Sequence, residues 1–452
     1  MTTERQKKMK WWQLSLFGVG CTIGTGFFLG SSLAISTGGP LVLVDFVLAA
    51  IGTYLVFDAL SKMAAGNPQK GAFRAYAKQA YGRWAGFSVG WGYWFSEMLI
   101  MGSQLTALSI FTRFWFPHIP LWVFASLYSV LGLGIVLLGT EGLNRLEDGF
   151  AVIKISAILM FLLIAAAVWL GWIDGGNADG FAQSTTAYLP RGISGLWAAL
   201  IFAFYAFGGI EVMSFMAVKL RNPQEMPKAG KVMIVLLAVI YVLSIAFAVS
   251  MVSWKAFDSK ESPFVIALKG YHLPFVSDLF NGALIIAGFS TMAASLFGVT
   301  TILVTLAKDG DAPRMFAREG KLKVPAPAFG LTVGGVVVSI VLSLLMPKHV
   351  YEYITTGAGI MLLYNWFFII VSARRITDVS MVDQWKHFTG MTLILLAVFG
   401  TVFDKNSRPG LFISLLFVII IAFAAFKMRS FRQRNRARRD KRGLLKRYKP
   451  NP

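Results

Sequence analysis

Two short stretches carry residue types able to hold a small charged molecule inside an otherwise apolar chain. The first reads Gly18-Val19-Gly20-Cys21-Thr22-Ile23-Gly24-Thr25-Gly26, and the second Phe202-Ala203-Phe204-Tyr205-Ala206-Phe207-Gly208-Gly209-Ile210-Glu211. Glycine costs a helix about 1 kcal/mol relative to alanine, so each cluster makes a helix easy to interrupt. An interruption leaves helix-start N–H groups, at the positive end of a helix dipole, free for an anion. It also leaves carbonyls that accept from a cation. A site with both suits a zwitterion such as an amino acid, and Glu211 adds a carboxylate beside the freed donors. Either cluster alone reads equally well as close helix packing, since Gly20/Gly24 and Gly26/Gly30 are small-xxx-small pairs.

Other polar groups also fall inside apolar stretches, where a charge costs about 2.5–3.5 kcal/mol by insertion scales and so calls for a partner or a role. Glu97 lies in the middle of one stretch, where it can pair with a neighbouring helix or face a cationic substrate or a proton. Lys154 sits about one turn into another, where its long stem can reach the surface. Several chemistries are excluded. There is a single cysteine, Cys21, and no Walker A loop. His118, His272, His349 and His387 fall in loops or at the ends of apolar stretches and form no metal cluster. No nucleophile–base triad stands out. The chain reads as no enzyme, without metal or cofactor, and any transport it performs is secondary, with a proton as a possible coupling ion.

The elements that must position these groups are membrane helices. Hydrophobic residues make up 56% of the 452 and charged ones 14%, and the apolar residues come in runs near the 20 needed to cross a bilayer. Spans are expected near 13–35, 41–63, 86–113, 120–139, 149–172, 194–218, 231–254, 277–306, 329–346, 352–373, 388–404 and 409–427. The first is read as a retained helix rather than a cleaved leader. The interrupted spans are then the first and the sixth, the leading members of two five-helix sets. Matched interruptions of this kind point to a transporter binding site.

The net charge of +21 is distributed by topology. With the N-terminus inside, the outer segments hold only Arg113, Arg191, Lys255, Lys260, Lys269, Lys348, Lys405 and Arg408. The other Lys and Arg, Lys154 excepted, fall on the inner side. This bias places both termini in the cytoplasm, in a multi-pass protein of the plasma membrane. The segments are a cytoplasmic lead (1–12), a transport core (13–373), two further helices (388–427) and a basic tail (428–452). The tail's Arg429, Arg432, Arg434, Arg436, Arg438 and Arg439 suit anionic lipid; no aromatic or folded module accompanies them for nucleic acid.

The combined motifs resemble a known family. Gly20-Cys-Thr-Ile23-Gly24-Thr25-Gly26-Phe-Phe-Leu-Gly30 is similar to the first-helix motif of the amino acid–polyamine–organocation permeases, in particular their bacterial amino acid transporter branch. Phe204-Tyr-Ala-Phe207-Gly208-Gly209-Ile210-Glu211 resembles their sixth-helix motif. Leu306-Ala-Lys308-Asp309-Gly310-Asp311-Ala312-Pro313 resembles the segment after their eighth helix, and Trp91-Gly-Tyr-Trp94 and Phe114-Trp-Phe-Pro117 their third helix and following loop. The likeness runs from about Trp11 to Arg375.

The resemblance implies an all-α fold of the leucine-transporter type, a 5+5 inverted repeat plus two C-terminal helices. It implies a substrate carboxylate at Thr25 and the Gly26 N–H, within the segment Thr22, Ile23, Gly24, Thr25, Gly26. The ammonium would meet carbonyls of Thr22, Tyr205 and Gly208. Tyr205 or Phe207, beside Phe204, would gate the site, and Glu211 would couple occupancy to closure. Lys154 matches a position where lysine replaces the sodium ion of sodium-driven relatives. Two departures stand out. Asp58 and Lys62 occupy the place of an Arg-x-x-x-Glu pair, and Gln104 stands where many members carry a glutamate, with Glu97 two turns earlier.

The leading expectation is secondary transport of an amino acid with an uncharged side chain, taken up with protons. The alternatives are a cationic amino acid or polyamine exchanger, favoured by Glu97, and a transporter-like nutrient sensor that signals through the basic tail.

Overall fold

The computed structural model describes residues 8–69, 71–175, 188–271, 273, 275–318, 324–345 and 350–447, with backbone alone for 139–148, 151, 343 and 428–447. The described chain is helical, and its one β-type contact is an isolated parallel bridge between Met9 and Leu220. The helices are α1 (Trp11–Thr22), α2 (Thr25–Phe28), α3 (Gly30–Gly38), α4 (Val42–Gly66), α5 (Ala72–Tyr81), α6 (Arg83–Arg113), α7 (Leu121–Trp169) and α8 (Gly192–Ala206). They continue with α9 (Val212–Met216), α10 (Met226–Met251), α11 (Pro263–Lys269), α12 (Val276–Lys308), α13 (Ala326–Leu345), α14 (Val350–Ile376), α15 (Met381–Gly400) and α16 (Arg408–Arg447).

Among the described residues, seven helical stretches are long and apolar enough to cross a membrane, two of them within α7, and the pair α1 and α2–α3, bent by 52°, makes an eighth. Helices α6, α8, α13 and α15 stand over the other expected spans. Outward-facing positions such as Leu159, Leu163, Val338, Phe412 and Ile419 are exposed and apolar, a surface for lipid rather than water.

The fourth and fifth expected spans lie within one run of helical backbone, α7, with no loop between them. The helix nevertheless turns back. Tyr128 and Phe150 both pack on Phe289, at centroid distances of 6.1 and 6.4 Å. A straight helix would hold residues so spaced about 33 Å apart. The joint therefore falls between them, and the two halves, Leu121–Leu138 and Val152–Trp169, are separate spans.

Two ends are distinguished by their contacts. At one, the basic end, the Met9 N–H bonds to the Lys219 carbonyl, the Gln224 amide to the Ala65 carbonyl, and the Tyr81 hydroxyl to the Val371 carbonyl. Arg74 and Arg83 reach Asp311 there, and Lys62 reaches both Asp58 and Asp383. At the far end Trp115 bonds to Asp278, Ser32 to the Glu261 carbonyl, and Arg191 pairs with Asp404. Loops assigned to opposite sides by the sequence thus meet only their own kind in these contacts, as alternating spans require.

Two helices were not expected. α5 is amphipathic and lies between the second and third spans, and α11 is a short turn after the seventh. The twelfth span lies where it was expected, at Arg408–Lys427, and the helical backbone of α16 runs on beyond it to Arg447. The basic tail's arginines and the lipid expected there lie outside the described side chains, as do His272, His349 and the start of the chain.

Candidate functional site

The glycine clusters break both helices. α1 ends at Thr22, Ile23 and Gly24 are extended, and α2 begins at Thr25. Gly24 has no room for a side chain, since a Cβ there would stand 2.8 Å from the Thr291 methyl. In the sixth span α8 ends at Ala206. The Phe207 and Gly208 N–H groups close two tight turns on the Phe204 and Tyr205 carbonyls, each 3.0 Å. Gly209 then takes φ +106°, a region favouring glycine, before α9 starts at Val212. The freed Ala206 carbonyl accepts from the Tyr241 hydroxyl at 2.9 Å. Irregular backbone at this depth needs such partners.

The two breaks face each other. A Cβ on Gly209 would lie 3.3 Å from the Cys21 carbonyl oxygen, and one on Gly26 would lie 3.2 Å from the Tyr205 ring. The Thr25 and Gly26 N–H groups precede the first internal bond of α2, from the Phe27 N–H to the Gly24 carbonyl at 3.0 Å. Beside them the Thr25 hydroxyl is buried without a partner. A buried polar oxygen left unbonded costs about 1–3 kcal/mol, so it is a position waiting for a donor or acceptor.

Glu211 closes the other side of the sixth-span break. Its Oε2 accepts from the Gly209 N–H and the Trp366 indole, each at 3.3 Å, while Oε1 is buried and unbonded. Tyr93 lies against both Glu211 and Glu97, and Ser295 also faces Glu97. The two carboxylates therefore belong to one buried network. Gln104 is buried two turns along the same helix with its Oε1 unpartnered.

Lys154 is buried at 1% exposure, and its ammonium donates to the Gly20 carbonyl at 3.1 Å. Of the two placements open to it, the structure has it pointing into the protein against the last turn of α1, not out to the surface.

The remaining expected residues divide. The Thr22 hydroxyl is used locally, donating to the Gly18 carbonyl at 2.9 Å. Ile23 is buried in the core. Of the aromatic candidates, Tyr205 stands over Gly26, whereas the Phe204 ring lies against Gly52 and Trp366 and the Phe207 ring against Tyr241. Asp58 and Lys62 are i,i+4 partners at 3.2 Å, extended by Lys386 and Asp383 into a four-residue ion network. Sequence reasoning missed Ser103, Tyr351 and Thr355, which gather beside Tyr205. Isolated hydroxyls on apolar helices carry no spacing signal. Among the described residues no three metal-ligating side chains converge.

Known proteins resemble the chain over most of its length. Residues 13–402 match the family described as "Amino acid permease". An uncharacterized transporter of Bacillus subtilis, YcgH, is 55% identical over 416 residues, which cover 92% of this chain and 93% of the relative. The aromatic amino acid transport protein AroP of Corynebacterium glutamicum is 32% identical over 401 residues, 85% of this chain and 86% of the relative. The gamma-aminobutyric acid permease of Bacillus subtilis is 26% identical over 441 residues, 94% of each. These relatives are transporters rather than enzymes. With its paired helix breaks and multi-pass apolar body, this chain belongs to the amino acid permease family.

Proposed function

We propose that the protein carries a neutral α-amino acid across the plasma membrane by alternating access, with the substrate between the two helix breaks. The observation that carries this reading is the facing pair of breaks, with the unbonded Thr25 hydroxyl beside the start of α2. The substrate carboxylate lies at Thr25 and the Gly26 N–H, its ammonium near carbonyls of Thr22, Tyr205 and Gly208, and Tyr205 covers it. The fold is a leucine-transporter-type 5+5 inverted repeat with two added helices. The excess of lysine and arginine at the basic end puts that end, and both termini, in the cytoplasm. Lys154, held to the Gly20 carbonyl, fills the place of a sodium ion, so uptake is sodium-independent and driven by protons. Glu211 links occupancy to closure through its bond to the Gly209 N–H.

Relatives named for aromatic amino acids and for gamma-aminobutyric acid put both on the test panel. A second reading, transport of a cationic amino acid or polyamine, is favoured by one observation: Glu97 and Glu211 share the Tyr93 network.

The test is uptake of radiolabelled amino acids into proteoliposomes, with proton and sodium gradients imposed separately. Competable uptake of one neutral amino acid, driven by protons and lost in Glu211→Ala, supports the reading. Preference for a cationic substrate, lost in Glu97→Gln, supports the second. No uptake of any member by folded protein sinks both.

A further inference from the structure

Four hydroxyl side chains from three spans meet beside the helix breaks. The Ser103 and Thr355 hydroxyls are 2.7 Å apart, bridging α6 and α14. The Tyr205 and Tyr351 hydroxyls both face Ser103, and Tyr351 also faces Thr355. Tyr351 donates to the Thr25 carbonyl at 3.4 Å, and its hydroxyl lies 3.7 Å from where a Gly30 Cβ would be. All four side chains are buried; Ser103 and Thr355 bond to each other, Tyr351 bonds to the Thr25 carbonyl, and the Tyr205 hydroxyl stands beside Ser103.

The cluster occupies the far-end side of the breaks. α6 runs from the basic end to the far end, so Ser103 is in its far half, and α14 runs the other way, so Tyr351 and Thr355 are in its first turns. The chain around it is sealed. Residues 100–109 and 198–207 are all buried, as are 25–35 apart from Gly26. Partial exposure persists at Cys21, Gly208 and Gly209 and resumes at Val212, Phe215 and Met216, toward the basic end.

We propose that Ser103, Tyr205, Tyr351 and Thr355 form an uncharged latch that shuts the site toward the far end, with Tyr351 tying it to the Thr25 turn. The inference rests on the permease reading and names the residues that regulate access to that site. The physical case is one of balance. The Ser103, Thr355 and Tyr351 oxygens are buried and would cost free energy if left unbonded, so the closed arrangement holds only while these partners are in register. Hydroxyls carry no charge, so parting them and wetting them costs far less than parting a buried ion pair. Because Tyr351 bonds to the residue proposed to meet the substrate carboxylate, arrival of substrate at Thr25 bears directly on closure.

The single cysteine supplies the test. Cys21 lies in the last turn of α1, beside the first-span break, and its rate of reaction with a membrane-impermeant cationic methanethiosulfonate can be measured from each side in vesicles of defined orientation. Cys21→Ser sets the background. In Tyr351→Phe, and independently in Thr355→Val, labelling from the far-end side rises and labelling from the basic side falls, so that their ratio shifts by about fivefold, the worth of one typical hydrogen bond. A variant that is merely loosened labels faster from both sides, and that result in both variants overturns the latch. An unchanged ratio in both overturns it too. Failure of the permease reading shows itself separately, as the absence of any amino acid that slows Cys21 labelling in the unmodified protein.

Discussion

Lys154 donates to the Gly20 carbonyl oxygen over 3.1 Å, joining the fifth span to the last turn of α1, just ahead of the break. A buried ammonium is held by such acceptors, and the turn in turn loses an accepted hydrogen bond without it. Lys154→Met keeps the stem and removes the charge. Uptake by the unmodified protein is expected to be equal in sodium and choline media. In the variant the initial rate falls about tenfold or more, since removing a buried charged donor from its hydrogen bond costs about 1.5–3 kcal/mol. Sodium-stimulated uptake by the unmodified protein would refute the assignment.

Gly209 combines a φ of +106° with a close approach to the Cys21 carbonyl. Gly209→Ala is expected to lower the thermal midpoint in detergent and to abolish uptake, with a strain of about 1–3 kcal/mol. Gly134 supplies the contrast. It is helical, with nothing within 4 Å of its would-be Cβ, so Gly134→Ala leaves uptake intact and raises stability by up to about 1 kcal/mol.

These two residues also mark how much was legible in the sequence. The breaks could be read because glycine's helix penalty is local, and the spans because bilayer thickness fixes their length. Sequence could not say which side of a broken helix each aromatic takes. Phe204, Tyr205 and Phe207 are equivalent as letters, yet Phe204 fills the space left by Gly52 while Tyr205 lies over Gly26. Nor could it find Ser103 with Thr355, 252 residues apart. Arg74 and Asp311 were visible as loop charges, but their pairing depends on α5, an amphipathic helix too short for a span pattern.

At the basic end, the hydrogen bond from Lys62 holds Asp383 down at about 2, below its usual 3.8. A depressed carboxylate stabilises the folded state above its unfolded value, and that contribution fades as pH falls through the folded one. Asp383→Asn is therefore expected to melt lower than the unmodified protein at neutral pH, with the gap closing between about pH 4 and pH 2. Melting curves of the two proteins across that range check it. A gap that stays constant would show that the loss comes from the bonds that the Asp383 side chain accepts from the Ser380 N–H and hydroxyl rather than from the charge.

The segment after the eighth span is a buried ion cluster. Asp311 is fully buried and accepts from Arg83 Nε at 2.6 Å and from Arg74 Nη2 at 3.1 Å, while Arg74, 4% exposed, also reaches Asp309. The Trp91 indole bonds to the Asp311 carbonyl at 3.0 Å, so the cluster fastens α5 and the start of α6 to the end of α12. Desolvating these charges has already been offset by their mutual attraction, and removing one partner leaves the others buried and unpaired. Arg74→Met is expected to destabilise by about 3–5 kcal/mol, read as a fall in thermal midpoint and in yield of folded protein. The exposed pair Lys260–Asp258, 3.7 Å apart, gives the opposite expectation: Lys260→Ala changes stability by less than about 1 kcal/mol. Equal effects of the two substitutions would mean that burial does not govern the Arg74 cluster, because the same charge is removed in both and only its surroundings differ.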